Sequence, residues 1–270
     1  MIYINNEKKI EKLKNKMNKK NICVFMDYDK TITTNDSQDS WAASANKEIM
    51  GENLSNELDK YYEKYRPIEI DYNIDVKEKE KYMIEWYQKC MDLYYKYNIT
   101  KTSLRDSINN TNMKLRKGVK EFLYKLYKND IPVIILSAGI GNTIEQKLEN
   151  EKCYYSNIEI ISNFLKFDEQ DKMIKFSGNL IHTLNKDIDK LADINIKNKI
   201  EKREYRIVIG DLIEDINMIG KYKDERTLKI GFLNENIEEN IEVYKDNFDI
   251  VCTKDSNFFD IENIILGRSW

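Results

Sequence analysis

Five short apolar runs, Ile22 to Met26, Pro132 to Leu136, Arg206 to Ile209, Leu228 to Leu233 and Phe248 to Cys252, set the frame for this chain. Each is continuous and rich in β-branched residues instead of alternating, the pattern of strands covered on both faces. Helical patterns at Val119 to Lys128, Asn142 to Asn150 and Asn236 to Tyr244 separate most of them. The sequence therefore predicts a doubly wound parallel α/β sheet. Ile158 to Ile161 adds an edge strand, and Met173 to Thr183, with Gly178 between two partly apolar stretches, reads as a hairpin.

Between the first and second runs lie about a hundred residues, against the dozen or so of an ordinary βα crossover. Residues 35–115 are accordingly expected to form an inserted helical cap, leaving 21–34 and 116–270 for the core. Within the insertion, Tyr82, Trp86, Cys90, Leu93 and Tyr97 recur on one helical face, a spacing that reads as a core stripe. The lysine-dense residues 1–20 carry only a thin stripe of Ile10, Leu13 and Met17, which predicts a solvated helix leaning on the domain.

Charge removes several function classes. With 44 basic against 47 acidic residues among 270, no strong field recruits a nucleic-acid polymer or an acidic membrane. No apolar run approaches the roughly 20 residues that span a bilayer. The four cysteines lie far apart without a C-x-x-C pair, which leaves zinc ribbons and thioredoxin-like sites unsupported and fits a reducing, cytoplasmic setting. A single histidine, His182, removes multi-histidine metal sites. Catalysis is left to carboxylates, lysine or serine.

Ligands of open parallel sheets bind beyond the carboxyl ends of the strands. There the chain places Asp27-Tyr28-Asp29-Lys30-Thr31 after the first run, Ser137-Ala138-Gly139 after the second and Gly210-Asp211, with Asp215 four residues on, after the third; Lys186 follows the hairpin. Two carboxylates one residue apart can divide the labour of nucleophile and proton donor. Carboxylates converging without histidine repel unless a cation neutralises them, and oxygen-only ligands favour Mg2+. Ser137 can donate to a phosphoryl oxygen, and Lys186 can offset the charge that develops on the transferring group.

This series of elements resembles the haloacid dehalogenase superfamily of phosphatases. It is more closely similar to the cytosolic pyrimidine 5′-nucleotidase family (cytosolic 5′-nucleotidase III). The closer match is carried by Pro67-Ile68-Glu69-Ile70-Asp71, Met83-Ile84-Glu85-Trp86-Tyr87, Leu136 to Gly141, Ile161 to Phe164 with Phe167-Asp168-Glu169, and Leu180 to Lys186. The resemblance implies a Rossmann-like core with an inserted cap and an aspartyl-phosphate mechanism. It makes Asp27 the nucleophile, Asp29 the general acid and base, and Lys186 the residue bracing both nucleophile and phosphoryl group. Mg2+ would be held by Asp27, the Asp29 carbonyl, Asp211 and, through water, Asp215, with Ser137 and the Ala138 backbone on the phosphate. Glu69 falls on the base-recognising carboxylate, Tyr87 and Trp41 on the aromatics that sandwich the base, and Cys90 where relatives often carry Ser. The expected activity is hydrolysis of CMP and UMP by a monomer, with 7-methylguanosine monophosphate, another small phosphate ester, phosphotransfer to a nucleoside, or nucleotide binding without turnover as alternatives. An indole at Trp41 favours a larger or cationic base.

Overall fold

The computed structural model describes residues 1–176, 179–253 and 256–265. Its strands are β1 (Ile2–Ile4), β2 (Ile22–Met26), β3 (Val133–Ile140), β4 (Ile158–Asn163), β5 (Leu165–Phe167), β6 (Met173–Phe176), β7 (Tyr205–Gly210), β8 (Thr227–Leu233) and β9 (Ile250–Thr253). Seven form one sheet in the order β1-β9-β8-β7-β2-β3-β4. Every pairing in it is parallel except that of β1 with β9. The five apolar runs are thus five sheet strands, and Ile158 to Ile161 lies in the edge strand β4.

The pleat explains why those runs do not alternate. Ile22, Val24 and Met26 of β2 enter one hydrophobic cluster with Val133, Ile135, Ile207 and Ile209. Their neighbours Cys23 and Phe25 enter the other, with Ile134, Leu136 and Val208. Both faces are dry, so successive side chains must all be apolar. Strand β2, inside the sheet between β7 and β3, carries Asp27 directly beyond its last paired residue. Met26 registers with Ile135 on one side and Ile209 on the other, which sets the ends of β2, β3 and β7 side by side.

The insertion comprises helices Ser40–Ser44, Lys47–Met50, Glu52–Glu69, Val76–Lys96 and Lys101–Asn109. Its base is closed by an antiparallel bridge between Thr33 and Leu115. The expected core stripe largely holds: Trp86, Cys90 and Leu93 are buried, with Tyr82 and Tyr97 packed at the margin. Pro67 is accommodated near the end of the Glu52–Glu69 helix, where the break in hydrogen bonding is brief.

Two expectations are corrected. The N-terminal residues are not one helix from end to end: β1 comes first and the helix covers only Glu7–Lys14, while Ile10, Leu13 and Met17 do lean on the domain and are buried in the main core cluster. The hairpin lies upstream of its expected place, because Met173–Phe176 pairs with Leu165–Phe167. The Asp168 carboxylate accepts from the amides of Gln170 and Lys172, at 3.0 and 2.8 Å, and so organises the real turn. Gly178, the expected turn residue, lies outside the described residues.

Candidate active site

The strand ends open into a cavity of about 340 Å³ between the sheet and the inserted helices. Asp27, Asp29, Ser137, Ala138, Lys186 and Asp211 line its sheet side, and Trp41, Glu69, Tyr87 and Cys90 line its helical side. Ten of the eleven side chains expected to matter therefore face one space. The eleventh, Asp215, is fully buried directly behind it.

Lys186 organises the floor. Its Nζ lies 2.5 Å from Asp27 Oδ1 and 2.8 Å from Asp215 Oδ1. Burial opposes the lysine charge, but Asp215 and Asp27 hold its pKa well above the ordinary range. Asp215 Oδ2 accepts from the amides of Asp211 and Leu212, each at 3.0 Å. A Cβ on Gly210 would collide with the Asp215 side chain, so the residue that ends β7 must be glycine for this loop to close.

Among the described residues, Asp27, Asp211 and Asp215 form a group whose carboxylate oxygens lie within 4.8 Å of one another. Asp27 Oδ2 is buried with no hydrogen-bond partner among the described residues. Burial, followed by the charge of Asp27 and then Asp215, drives the Asp211 pKa well up. Burial likewise raises Asp27 to about 6 despite Lys186. An orphaned anionic oxygen among crowded carboxylates fits a hard divalent cation, and the all-oxygen donor set suits Mg2+.

Asp29 stands apart from that cluster. Its Oδ1 accepts from the Ser40 amide at 2.8 Å and its Oδ2 from the Ser40 hydroxyl at 2.6 Å. Burial, then the Asp39 carboxylate, raises its pKa to about 8. Near neutrality such a group can give a proton to a leaving oxygen and take one from water. Tyr28 between the two aspartates is fully buried on the opposite side, its hydroxyl 3.3 Å from Met113 Sδ.

Ser137 and Ala138 lie in the last part of β3, where the register with β4 shifts between Leu136 and Ile140, and this segment is held by Asn163, whose side-chain amide donates to Ala138 O at 2.9 Å and Ile181 O at 2.8 Å. On the helical wall, Glu69 is buried; one carboxylate oxygen takes the Thr183 hydroxyl and the other sits 2.5 Å from Arg66 Nη1. Arg66 also reaches Glu235 at 2.8 Å and Asp211 at 3.9 Å, while Lys30 reaches the same Glu235 oxygen at 2.5 Å. Trp41 and Tyr87 do share the cavity but meet edge to face, 5.6 Å between centroids at 83°, not across a parallel slot. Tyr94 stacks on one face of the Trp41 indole, and Trp41 Nε1 donates to Ala138 O at 3.2 Å.

Sequence reading missed Lys30, Ser40, Arg66, Asn163, Thr183 and Glu235. Lys30 lies inside the aspartate motif and Thr183 within the stretch ending in Lys186, so both were available as neighbours of candidates. Asn163, at the end of β4, lies within the quoted stretch Ile161 to Phe164 and was available in the same way, whereas Ser40, Arg66 and Glu235 sit on ordinary loop or helix positions and carry no pattern of their own.

Residues 11–268 match the pyrimidine 5′-nucleotidase (UMPH-1) family. The chain is 38% identical over 222 residues to the human (Homo sapiens) 7-methylguanosine phosphate-specific 5′-nucleotidase, covering 82% of this chain and 74% of that one. It superposes with a TM-score of 0.84 and 29% identity on cytosolic 5′-nucleotidase IIIB bound to cytidine, over 98% of this chain and 91% of the other. A substrate-bound phosphoserine phosphatase shares the fold, with a TM-score of 0.61 at 17% identity over 92% of this chain and 100% of that one.

Proposed function

The chain belongs to the pyrimidine 5′-nucleotidase (UMPH-1) family and is a 5′-nucleotidase of the haloacid dehalogenase type, and from that premise we propose a Mg2+-dependent hydrolysis of nucleoside 5′-monophosphates whose base carries an exocyclic amine. What carries the reading is one cavity joining a carboxylate-lysine floor to a buried Glu69 on the facing wall. A carboxylate there accepts from the exocyclic amine of cytosine or 7-methylguanine, a donor that uracil replaces with a carbonyl oxygen. The indole of Trp41 supports the cationic 7-methylguanine ring as the better-held base; the named activity of the human relative agrees with it, and the cytidine in the similar structure supports CMP. In this reading residues 35–115 are a cap over a core of 21–34 and 116–270.

In the first step a carboxylate oxygen of Asp27 attacks phosphorus, the bond from phosphorus to the nucleoside O5′ breaks, and Asp29 gives that oxygen its proton. In the second, Asp29 takes a proton from the water that attacks the aspartyl-phosphate, which releases phosphate and regenerates Asp27. Lys186 holds Asp27 in place and offsets charge on the phosphoryl oxygens, and Ser137 with the Ala138 amide binds them. Asp27, Asp211 and the Asp29 carbonyl, backed by Asp215, would hold Mg2+, which when bound supplies positive charge against the phosphoryl group.

The test is phosphate release from a panel of CMP, UMP, 7-methylguanosine monophosphate, GMP and AMP, with Mg2+ and with a chelator. The amine-bearing CMP and 7-methylguanosine monophosphate should lead the panel, UMP should trail, and chelation should stop release from all. Equal rates on CMP and UMP, or release untouched by chelator, would sink the reading. Glu69→Gln is expected to raise KM for CMP about 10- to 100-fold, the worth of one charged hydrogen bond, with kcat changed little. The same variant should leave KM for UMP nearly unchanged, because uracil presents an acceptor where cytosine presents a donor. A loss of kcat shared by both substrates would instead make Glu69 part of the chemistry.

A further inference from the structure

A single hydroxyl in this site joins three elements. Ser40 is fully buried at the start of the first inserted helix, Ser40–Ser44. Its Oγ donates to Asp29 Oδ2 at 2.6 Å and accepts the Ile140 amide at 3.2 Å, so it lies between the proton-transferring carboxyl and the irregular end of β3 that carries Ser137. The Ser40 amide takes the other oxygen of Asp29 at 2.8 Å. Both carboxylate oxygens are therefore gripped by one residue of the insertion and none of the grip comes from Lys186, whose carboxylate partners are Asp27 and Asp215.

The surroundings allow little alternative. A Cβ on Gly139 would collide with Ser40 Oγ and approach Asp29 Oδ2 to 2.9 Å, so glycine at that position makes room for the contact. The helix start is fixed in turn by Asp39, whose carboxylate caps the Ala42 amide at 2.7 Å. Asp29 precedes a turn in which Lys30 adopts a left-handed φ of 60°, and Arg116 Nη2 donates to the Lys30 carbonyl at 2.6 Å. The backbone of Asp29 is thus set by the core and its carboxyl by the insertion.

We infer that Ser40 is a positioning residue for proton transfer: it aims the Asp29 carboxyl at the leaving oxygen and makes that aim depend on the seating of the inserted helices. Proton donation matters in proportion to the basicity of the leaving group. A nucleoside 5′-oxygen needs the proton, whereas a nitrophenolate departs without it. Misplacing a catalytic group by about an ångström can cost up to about 100-fold.

The inference rests on Asp29 as the proton carrier of the proposed mechanism, and the experiment separates the two. Rapid-quench measurements follow alcohol release in the first turnover, from CMP and from p-nitrophenyl phosphate, for the native protein, Ser40→Ala, Asp29→Asn and the double variant. Ser40→Ala is expected to slow cytidine release about 10- to 100-fold and to leave nitrophenolate release within about twofold. In the Asp29→Asn background, the same substitution should change cytidine release by less than about twofold, because residues acting as a unit are not additive. Should Ser40→Ala fold poorly, Ser40→Cys repeats the series with a side chain of similar shape and a weak donor. Equal slowing of both substrates, full additivity with Asp29→Asn, or no slowing at all overturns the role of Ser40. An Asp29→Asn variant that releases cytidine at the native rate overturns the proposed mechanism itself.

Discussion

Asp27→Asn is expected to lower phosphate release from CMP by on the order of 10⁴-fold or more, as removal of an enzyme's nucleophile does, while the protein still folds. The amide keeps the shape of the carboxylate and can still accept from Lys186 Nζ, which retains Asp215 at 2.8 Å. It cannot form the acyl phosphate. In the absence of metal the substitution also removes one of three crowded negative charges, so the thermal midpoint in chelator should not fall. Steady-state phosphate release and calorimetry check the two halves separately. Retained turnover would contradict a nucleophile at Asp27, and an unfolded variant would make the carboxylate a structural element first.

Lys186→Met is expected to damage both stability and turnover. Lys186 is buried with two carboxylates, and its side chain is only 4% exposed. Deleting one member of a buried ionic cluster leaves uncompensated charge and typically costs about 3–5 kcal/mol. Here Asp27 and Asp215 would both lose their common partner. Loss of the cation from the phosphoryl site should lower kcat by roughly 10²–10³-fold, the scale of one electrostatic stabiliser. Urea unfolding with and without Mg2+ separates the effects: metal should restore part of the stability by neutralising the carboxylates, without restoring turnover. An unchanged unfolding midpoint in chelator would mean that the carboxylates do not need the lysine charge.

The strands were legible because both faces of the sheet are dry. That condition writes itself into sequence as unbroken apolar runs, and it fixed five strands, the crossover helices and the strand ends that carry Asp27 and Asp211, while β3 runs past its expected end at Leu136 and through Ser137 to Ile140. The short strand β1 left no comparable mark: three residues at an edge, with Ile4 substantially exposed, gain their structure from β9 at the far end of the chain. The hairpin was misplaced because Gly178 is a strong local turn signal, while the actual turn relies on the carboxylate of Asp168 bonding backbone amides.

The same contrast divides the site. Asp27, Asp29, Ser137, Lys186, Asp211 and Asp215, which the structure gathers at one cavity, were named as candidates through their order along the chain and through family resemblance. Arg66 was not, although it touches Glu69, Glu235 and Asp211. Its role depends on which side chains the packing of the insertion brings against the core, and no spacing along the chain encodes that. The relation of Trp41 to Tyr87 is of the same kind: resemblance placed both at the base, and only packing, with Tyr94 on one indole face, decides how the rings stand.

Acid-quenching the enzyme during turnover of CMP labelled in its phosphate, then mapping the labelled peptide by mass spectrometry, reads the covalent step directly. The expected result is one phosphoryl group on the peptide containing Asp27, sensitive to hydroxylamine as an acyl phosphate is, and absent from Asp27→Asn. Label on a serine, lysine or another aspartate, or turnover in which no phosphoryl group ever becomes attached to the protein, would contradict the mechanism.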